Sequence, residues 1–281
     1  MRILITIYGS AHDRAALYLG ARLALHSSCR PALLTIQPPK PRQRLVPAHA
    51  RDYMLQEGID VEELERSGDP VEVIVEEVGQ GGYDLVIVGD SQPGHALARV
   101  RSTPPSLRIV RRSPCPVLIV KGEARPIQRI LLCDSGAENP STGLRPNSAL
   151  PSCFQRFSRQ LAALFANGSE ITVLHVMSQM SAGPGVQGKQ LRAPAEELIQ
   201  EHAPEGELLE QDLQTLEHAH LRTHAEVRHG LVVDEIVDEA QRGNYDLVVI
   251  GAHRVQGWQR ILLDDLTHRL VLQLDRPVLV V

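Results

Sequence analysis

One segment of this chain occurs twice. Residues 68–89 read GDPVEVIVEEVGQGGYDLVIVG, and 162 positions later residues 230–251 read GLVVDEIVDEAQRGNYDLVVIG. Eleven of the 22 aligned positions are identical, including the Tyr-Asp-Leu-Val block and the closing Gly. Two further echoes follow in the same order. Arg2-Ile3-Leu4-Ile5 returns as Arg129-Ile130-Leu131-Leu132, and Pro116-Val117-Leu118-Ile119-Val120 returns as Pro277-Val278-Leu279-Val280-Val281. Echoes spread this widely and kept in order mean a duplicated domain rather than a short-period solenoid. A chain of 281 residues has room for two domains of ordinary size. The boundary is expected at Gly122–Pro126, which gives domains over 1–124 and 125–281.

Composition narrows the classes. The chain is 43% hydrophobic but only 3% aromatic, so both cores must be aliphatic. A net charge of −5 argues against a general nucleic-acid binder. No apolar run approaches the ~20 residues that span a bilayer, so membrane insertion is not expected. The N-terminus runs straight into Ile3-Leu4-Ile5-Thr6-Ile7, which leaves no room for a signal peptide. Cys29, Cys115, Cys133 and Cys153 show neither CxxC pairing nor framework spacing. Reduced thiols in the cytoplasm are the simplest reading.

Apolar runs alternate with helical periodicity. Residues 2–7, 32–36, 59–66, 85–88 and 116–120 read as strands. Residues 13–27, 47–57, 71–78 and 104–112 read as the helices between them, with Val71, Ile74, Val75 and Val78 lining one helical face. The proline-rich stretch 37–50 reads largely as a loop. Leu85–Val88 is the continuous apolar run of a strand buried on both sides of a parallel sheet. The alternation predicts an α/β fold with a doubly wound parallel sheet in each repeat. Repeat two follows the same order, with 171–176 as its second strand. It adds a Gly/Pro/Ser/Asn-rich loop at 135–152 and a charged stretch at 193–222 that reads as helical. The two closing strands, 116–120 and 277–281, are apolar edges, and an uncovered apolar edge invites pairing. They are expected to lie together at a shared pseudo-two-fold interface.

Two clusters carry charge chemistry. From Arg99 to Arg129 there are eight basic residues (Arg99, Arg101, Arg108, Arg111, Arg112, Lys121, Arg125 and Arg129) against one acid, Glu123. Such a run is usually a solvated face paired with acids from elsewhere, here the Glu-rich 196–210 stretch. The functional alternative is a surface for an anionic ligand or a regulatory partner. His218, His220 and His224 cluster, and His220 and His224 would stand one turn apart on a helix, a spacing that can hold zinc. With no third ligand fixed by spacing, a solvated histidine face is preferred and no metal is expected. His175, on an apolar strand, reads as a core histidine. Trp258 reads as a packing residue, and so does Cys115 between its prolines.

Taken together, Tyr8-Gly9-Ser10, Tyr83-Asp84-Leu85-Val86-Ile87-Val88-Gly89 and Pro114-Cys115-Pro116-Val117 resemble the universal stress protein family. Repeat two contributes Asp134-Ser135-Gly136, Leu174-His175-Val176 and Asp246–Gly251 to the same resemblance. It covers nearly the whole chain in tandem form. It implies two open five-stranded parallel sheets with strand order 3-2-1-4-5. Nucleotide-binding members of that family hold ATP at the carboxyl ends of the first and fourth strands, where the strand order reverses and leaves a crevice. Their phosphate loop follows the fourth strand as Gly-x2-Gly-x9-Gly-[Ser/Thr]. Glycines let backbone amides approach the phosphates, and the hydroxyl completes an anion site.

Carried over residue by residue, the resemblance makes Gly9, Ser10, Gly89, Gln92, Ser102 and Thr103 the degenerate pocket of repeat one. Asp134 and Gly251 belong to that of repeat two. Gln92 replaces a loop glycine, and Tyr8 stands where the family has the nucleoside-contacting Asp. In repeat two Arg254 replaces the glycine, and Asp264-Asp265 replaces the final Gly-Ser pair. Each close contact between a carboxylate and a phosphate costs on the order of 1 kcal/mol in a partly solvated site. No GxSxG, HExxH or Walker-type motif occurs. The expected function is that of a cytoplasmic, homodimeric stress-response protein that binds a ligand or partner without catalysis and without a resident cofactor. The alternative is an ATP-binding protein with slow ATPase activity in repeat one.

Overall fold

In the computed structural model, residues 1–37, 47–90, 103–134, 168–177, 194–218, 221–251 and 258–281 are described. The chain forms two compact units. The first is Met1–Pro126 with Asp275–Val280, and the second is Ile127–Leu274 with Val281.

The first unit opens with β1 (Ile3–Ile7), α1 (Asp13–His26), β2 (Ala32–Gln37), α2 (Pro47–Gln56) and β3 (Glu62–Ser67). It continues with α3 (Pro70–Gly81), β4 (Leu85–Gly89), α4 (Pro105–Arg112) and β5 (Val117–Val120). Its parallel strands run in the order β3-β2-β1-β4-β5. β1, β4 and β5 are buried at every position, as parallel strands covered on both faces must be. β3 (EELERS) is mostly exposed, and its charges protect the edge it forms.

Local chemistry sets α3 clearly. The Asp69 carboxylate accepts from the amides of Val71 (3.0 Å) and Glu72 (3.2 Å), and Pro70 occupies the first turn. Gly82, at φ +62°, ends the helix in the left-handed region. The face it buries carries Val71, Ile74 and Val78. Truncating Ile74 to Ala would cost about 2–5 kcal/mol, as deletions from a packed core do.

The second unit contains β6 (Arg129–Asp134), β7 (Glu170–Met177), α5 (Ala195–Gln200), α6 (Pro204–His218) and β8 (Arg222–His229). After these come α7 (Val232–Arg242), β9 (Leu247–Ile250) and α8 (Trp258–Gln273). Its strands are parallel in the order β9-β6-β7-β8, which repeats 4-1-2-3 of the first unit.

The expectation of two separate five-stranded parallel sheets is corrected at the last strand. β10 (Val278–Val280) belongs to the first unit, where it pairs antiparallel with β5, Val278 opposite Ile119 and Val280 opposite Val117. That pairing covers the apolar edge of Val117-Leu118-Ile119-Val120, so the first sheet is mixed and the second keeps four parallel strands. The stretch 193–222 is not one helix. α5 ends at Gln200, α6 starts at Pro204, and a strand begins at Arg222. At Gly206 an added Cβ would lie 2.1 Å from the Leu198 carbonyl oxygen, so only glycine lets α5 and α6 meet. The loop at 135–152 lies outside the described residues. Among the described residues no helix is long and apolar enough to cross a membrane.

The duplicated sequence builds a duplicated lock at the amino ends of the strands. In the first unit Asp84 Oδ2 accepts from the Arg2 amide (2.7 Å), and the Arg2 guanidinium lies over the Tyr83 ring at 4.5 Å. The Tyr83 hydroxyl donates to Glu77 (3.0 Å), whose other oxygen takes Arg66 (3.2 Å). In the second unit Asp246 accepts from the Arg129 amide (2.9 Å), and Arg129 lies over Tyr245 at 5.4 Å. The Tyr245 hydroxyl is 3.1 Å from Glu239, whose other oxygen takes Arg228 (2.9 Å). An added Cβ at Gly81 or Gly243 would come within 2.1 Å or 2.0 Å of the tyrosine ring that follows it. The strongest echo in the sequence therefore maintains packing and lies at the opposite end of the strands from the crevice.

Candidate ligand site at the carboxyl ends of the strands

The turn from β1 into α1 is built around Asp13. Gly9 has φ +85° with no atom within 4 Å of an added Cβ, so backbone conformation alone requires glycine there. The turn brings three successive amides onto Asp13 Oδ2, from Tyr8 (3.0 Å), Gly9 (2.7 Å) and Ser10 (3.1 Å). The Ser10 hydroxyl donates to Asp13 Oδ1 at 2.6 Å. Burial pushes the Asp13 carboxyl above its ordinary range, and the Ser10 hydroxyl and the amides oppose that shift. A row of convergent amides is an anion nest, and here the chain's own carboxylate fills it.

Two contacts tie β1 to β4 across the crevice. Thr6 Oγ1 donates to the Ile87 carbonyl at 3.0 Å, and the Tyr8 hydroxyl donates to the Gly89 carbonyl. Gly89 packs against the turn so closely that an added Cβ would lie 2.2 Å from Ser10 Oγ and 2.8 Å from the Asp13 amide. Beyond it, the buried Asp90 accepts from Ser106 Oγ (2.7 Å) and faces the buried Lys121 ammonium at 3.8 Å. Burial lowers the Lys121 pKa, while Asp90 and Asp275 raise it. His12 Nδ1 lies 2.8 Å from the Asp90 carbonyl. Beside this turn, between α1 and α2, opens a cleft of about 580 Å³ lined by Ser10, Arg14, Leu17, Ala50 and Tyr53 among others.

The structure therefore brings Gly9, Ser10 and Gly89 together. Thr103 is half-buried at the entry to α4, and Gln92 and Ser102 lie outside the described residues. In the second unit Asp134 and Gly251 each follow the register pair Cys133 and Ile250, so they stand side by side at the strand ends. Arg254 lies outside the described residues. His224 is on β8, not on a helix. It sits 2.8 Å from Thr172 Oγ1 and 3.7 Å from Glu170, and His220 lies outside the described residues. Among the described residues no group of three His, Cys, Asp or Glu could hold a metal ion.

Five of the eight basic residues meet acids among the described residues, none of them in 196–210, and Arg99 and Arg101 lie outside the described residues. Arg108 and Arg112 meet Glu72, Lys121 meets Asp90, Arg125 meets Glu123, and Arg129 meets Glu170. Sequence reasoning passed over Asp13, Asp90 and Tyr53. Ser10-x-x-Asp13 at a helix start is a signal that points to Asp13. Nothing local marks Tyr53, whose place depends on how two helices pack.

A doubly wound parallel sheet with its crevice at β1 and β4, written twice in one chain, defines a tandem α/β protein of the nucleotide-binding-like type. The family model for the Universal stress protein family matches residues 1–121 and 155–281. The chain belongs to that family. Its fold is similar to that of a universal-stress-type protein from Pseudomonas aeruginosa UCBPP-PA14 (TM-score 0.63, 19% identity, covering 100% of this chain and 92% of the other). It is also similar to a universal stress protein from Archaeoglobus fulgidus DSM 4304 (TM-score 0.59, 16% identity, 99% and 95% covered). A functionally unknown protein from Pseudomonas aeruginosa PAO1 gives TM-score 0.61 at 19% identity, with 100% and 92% covered. No curated protein matches the chain.

Proposed function

We propose that this universal stress protein acts by binding a ligand or partner without catalysis, and that its first unit does not take ATP in the family's usual pose. One observation carries the reading: the anion nest of residues 8–10 is occupied by Asp13, and Tyr8 bridges the crevice to the Gly89 carbonyl. Those amides are closed to an added anion, since Asp13 would have to leave them and stranding a buried charged group costs more than the ~1–3 kcal/mol of a neutral one. Most of the loop after β4, where the family holds phosphate, lies outside the described residues. The cytoplasm and a homodimer complete the proposal. Both rest on the absence of framework cysteines and of an apolar span in the sequence, and on the general prevalence of two-fold dimers.

A calorimetric titration with MgATP tests the reading. The expected result is no saturable binding at micromolar nucleotide. Micromolar affinity lost on Gly89→Val would place ATP in the first unit and overturn it. Turnover above about one per minute, already far below the ~10 per second of a median enzyme, would overturn the non-catalytic part.

A further inference from the structure

The cleft between α1 and α2 of the first unit shares Gly9, Ser10 and Asp13 with the crevice turn and adds Arg14, Leu17, Ala50 and Tyr53, which the crevice chemistry does not use. Its volume of about 580 Å³ is that of a small-molecule site. A second concavity of about 400 Å³ adjoins it, and Ala11, Arg14, Leu17 and Tyr53 line both. The floor is apolar, supplied by Ile7, Ala11, Leu17 and Ala50.

Two polar groups project from this floor without an internal role. Arg14 is exposed and makes no hydrogen bond or ion pair among the described residues, unlike most of the arginines of this unit. The half-buried Tyr53 lines the cleft, and its hydroxyl has no hydrogen-bond partner among the described residues. Burial pushes the Tyr53 pKa up, with Glu57 and Tyr18 adding to the rise and Arg22 and Arg14 opposing it. Asp13 and Asp52 stand on the walls. Asp13 is already held by three amides and the Ser10 hydroxyl, so Arg14 and Asp52 leave the lining near neutral, which tolerates one negative charge held by Arg14 and disfavours a polyphosphate.

We propose that this cleft binds a small aromatic monoanion, its acidic group held by Arg14 and its ring laid along Tyr53 over the apolar floor. The proposal rests on the reading of the protein as a binding protein and names the class of ligand. It does not depend on Tyr8 or Gly89. An arginine fork pairs two parallel N–H groups with a carboxylate, which fixes the orientation of the acid. The tyrosine ring adds area at little conformational cost.

Calorimetric titration of the intact chain with 1-naphthylacetate tests this, with 2-(1-naphthyl)ethanol as the neutral control. The acid is expected to saturate one site per chain, and the alcohol to bind at least about tenfold more weakly, the loss of one charge-assisted contact. Arg14→Gln should weaken the acid by a similar factor and leave the alcohol unchanged. Tyr53→Ala should weaken both. Arg14 is a surface residue, so the melting temperature of the Gln variant should match the parent and confirm that it folds. Absence of saturable binding by the acid, equal binding of acid and alcohol, or indifference to Arg14→Gln would each overturn the proposal. A parallel MgATP titration separates the two readings, because Gly89-dependent ATP binding would overturn the crevice account alone.

Discussion

At the amino ends of the strands, Arg2, Arg66, Glu77, Gly81, Tyr83 and Asp84 recur as Arg129, Arg228, Glu239, Gly243, Tyr245 and Asp246, with a shared set of contacts to which the second unit adds Thr172 on Tyr245 and Glu235 and Asp238 on Arg228. At the carboxyl ends the two copies part. Ile7, Tyr8 and Asp90 of the first copy correspond in sequence to Asp134, Ser135 and Ala252 of the second, while Gly9 returns as Gly136. One end holds the first and fourth strands of each sheet together and tolerates little change. The other end is where an open α/β sheet places its ligands, and its chemistry is set separately in each copy. The difference teaches that identity between repeats here marks the scaffold, while specificity resides where the repeats disagree.

The largest effect is expected at the buried Asp90–Lys121 pair. Asp90→Ala leaves an ammonium buried with its nearest counter-charge gone, and loss of one partner of a buried pair costs about 3–5 kcal/mol. Urea unfolding of the variant measures it. Next comes Gly89. Gly89→Val drives its side chain into the β1–α1 turn and should cost about 3 kcal/mol, the upper range for overpacking. At the matching Gly251 no atom of the described residues lies within 4 Å of an added Cβ, so Gly251→Val should cost less than Gly89→Val. Equal costs at the two glycines would break the comparison.

Asp13→Ala strips the acceptor from three amides and should cost about 2 kcal/mol, more if water does not reach them. The smallest effects sharpen the amino-end half. Tyr83→Phe removes the hydroxyl contact to Glu77 and should cost about 1 kcal/mol, and Tyr245→Phe removes two, to Thr172 and Glu239, and should cost about 1 kcal/mol or somewhat more.

The same two tyrosines give a pH signature. Burial, the first cause in each, pushes both phenols from 10.0 up to about 12. The folded values lie above the unfolded one, so the stabilisation is fully present below pH 10 and is lost as pH rises through about 12. Stability measured across that window should fall less in the double Phe variant than in the parent. An equally steep fall in the double variant would show that the lock does not set the alkaline limit.

The scaffold was legible because its strands are unbroken aliphatic runs separated by turn residues, and the duplication let each copy check the other. β8 was not. Its sequence, RTHAEVRH, offers only Ala225 and Val227 as alternating apolar positions, while Arg228 reaches Glu235, Asp238 and Glu239 and His224 reaches Thr172, so the apolar signal is weak. The fate of β10 was legible only in outline. Apolar edges call for pairing, but the antiparallel register against β5 is a tertiary outcome. At the site, the turn glycines were visible, but the close packing of Gly89 against Ser10 and Asp13 was not, because it depends on how the β1–α1 turn meets β4. The cleft at Arg14 and Tyr53 was invisible, since the packing of α1 on α2 decides it and no local spacing records that.

The central claim is that the crevice of the first unit is closed to a triphosphate by Tyr8 and Asp13. A native mass spectrum of freshly purified protein tests it most directly. The account predicts no adduct with the mass of ATP or ADP on any charge state. A stoichiometric nucleotide adduct that disappears in the Gly89→Val protein would contradict it.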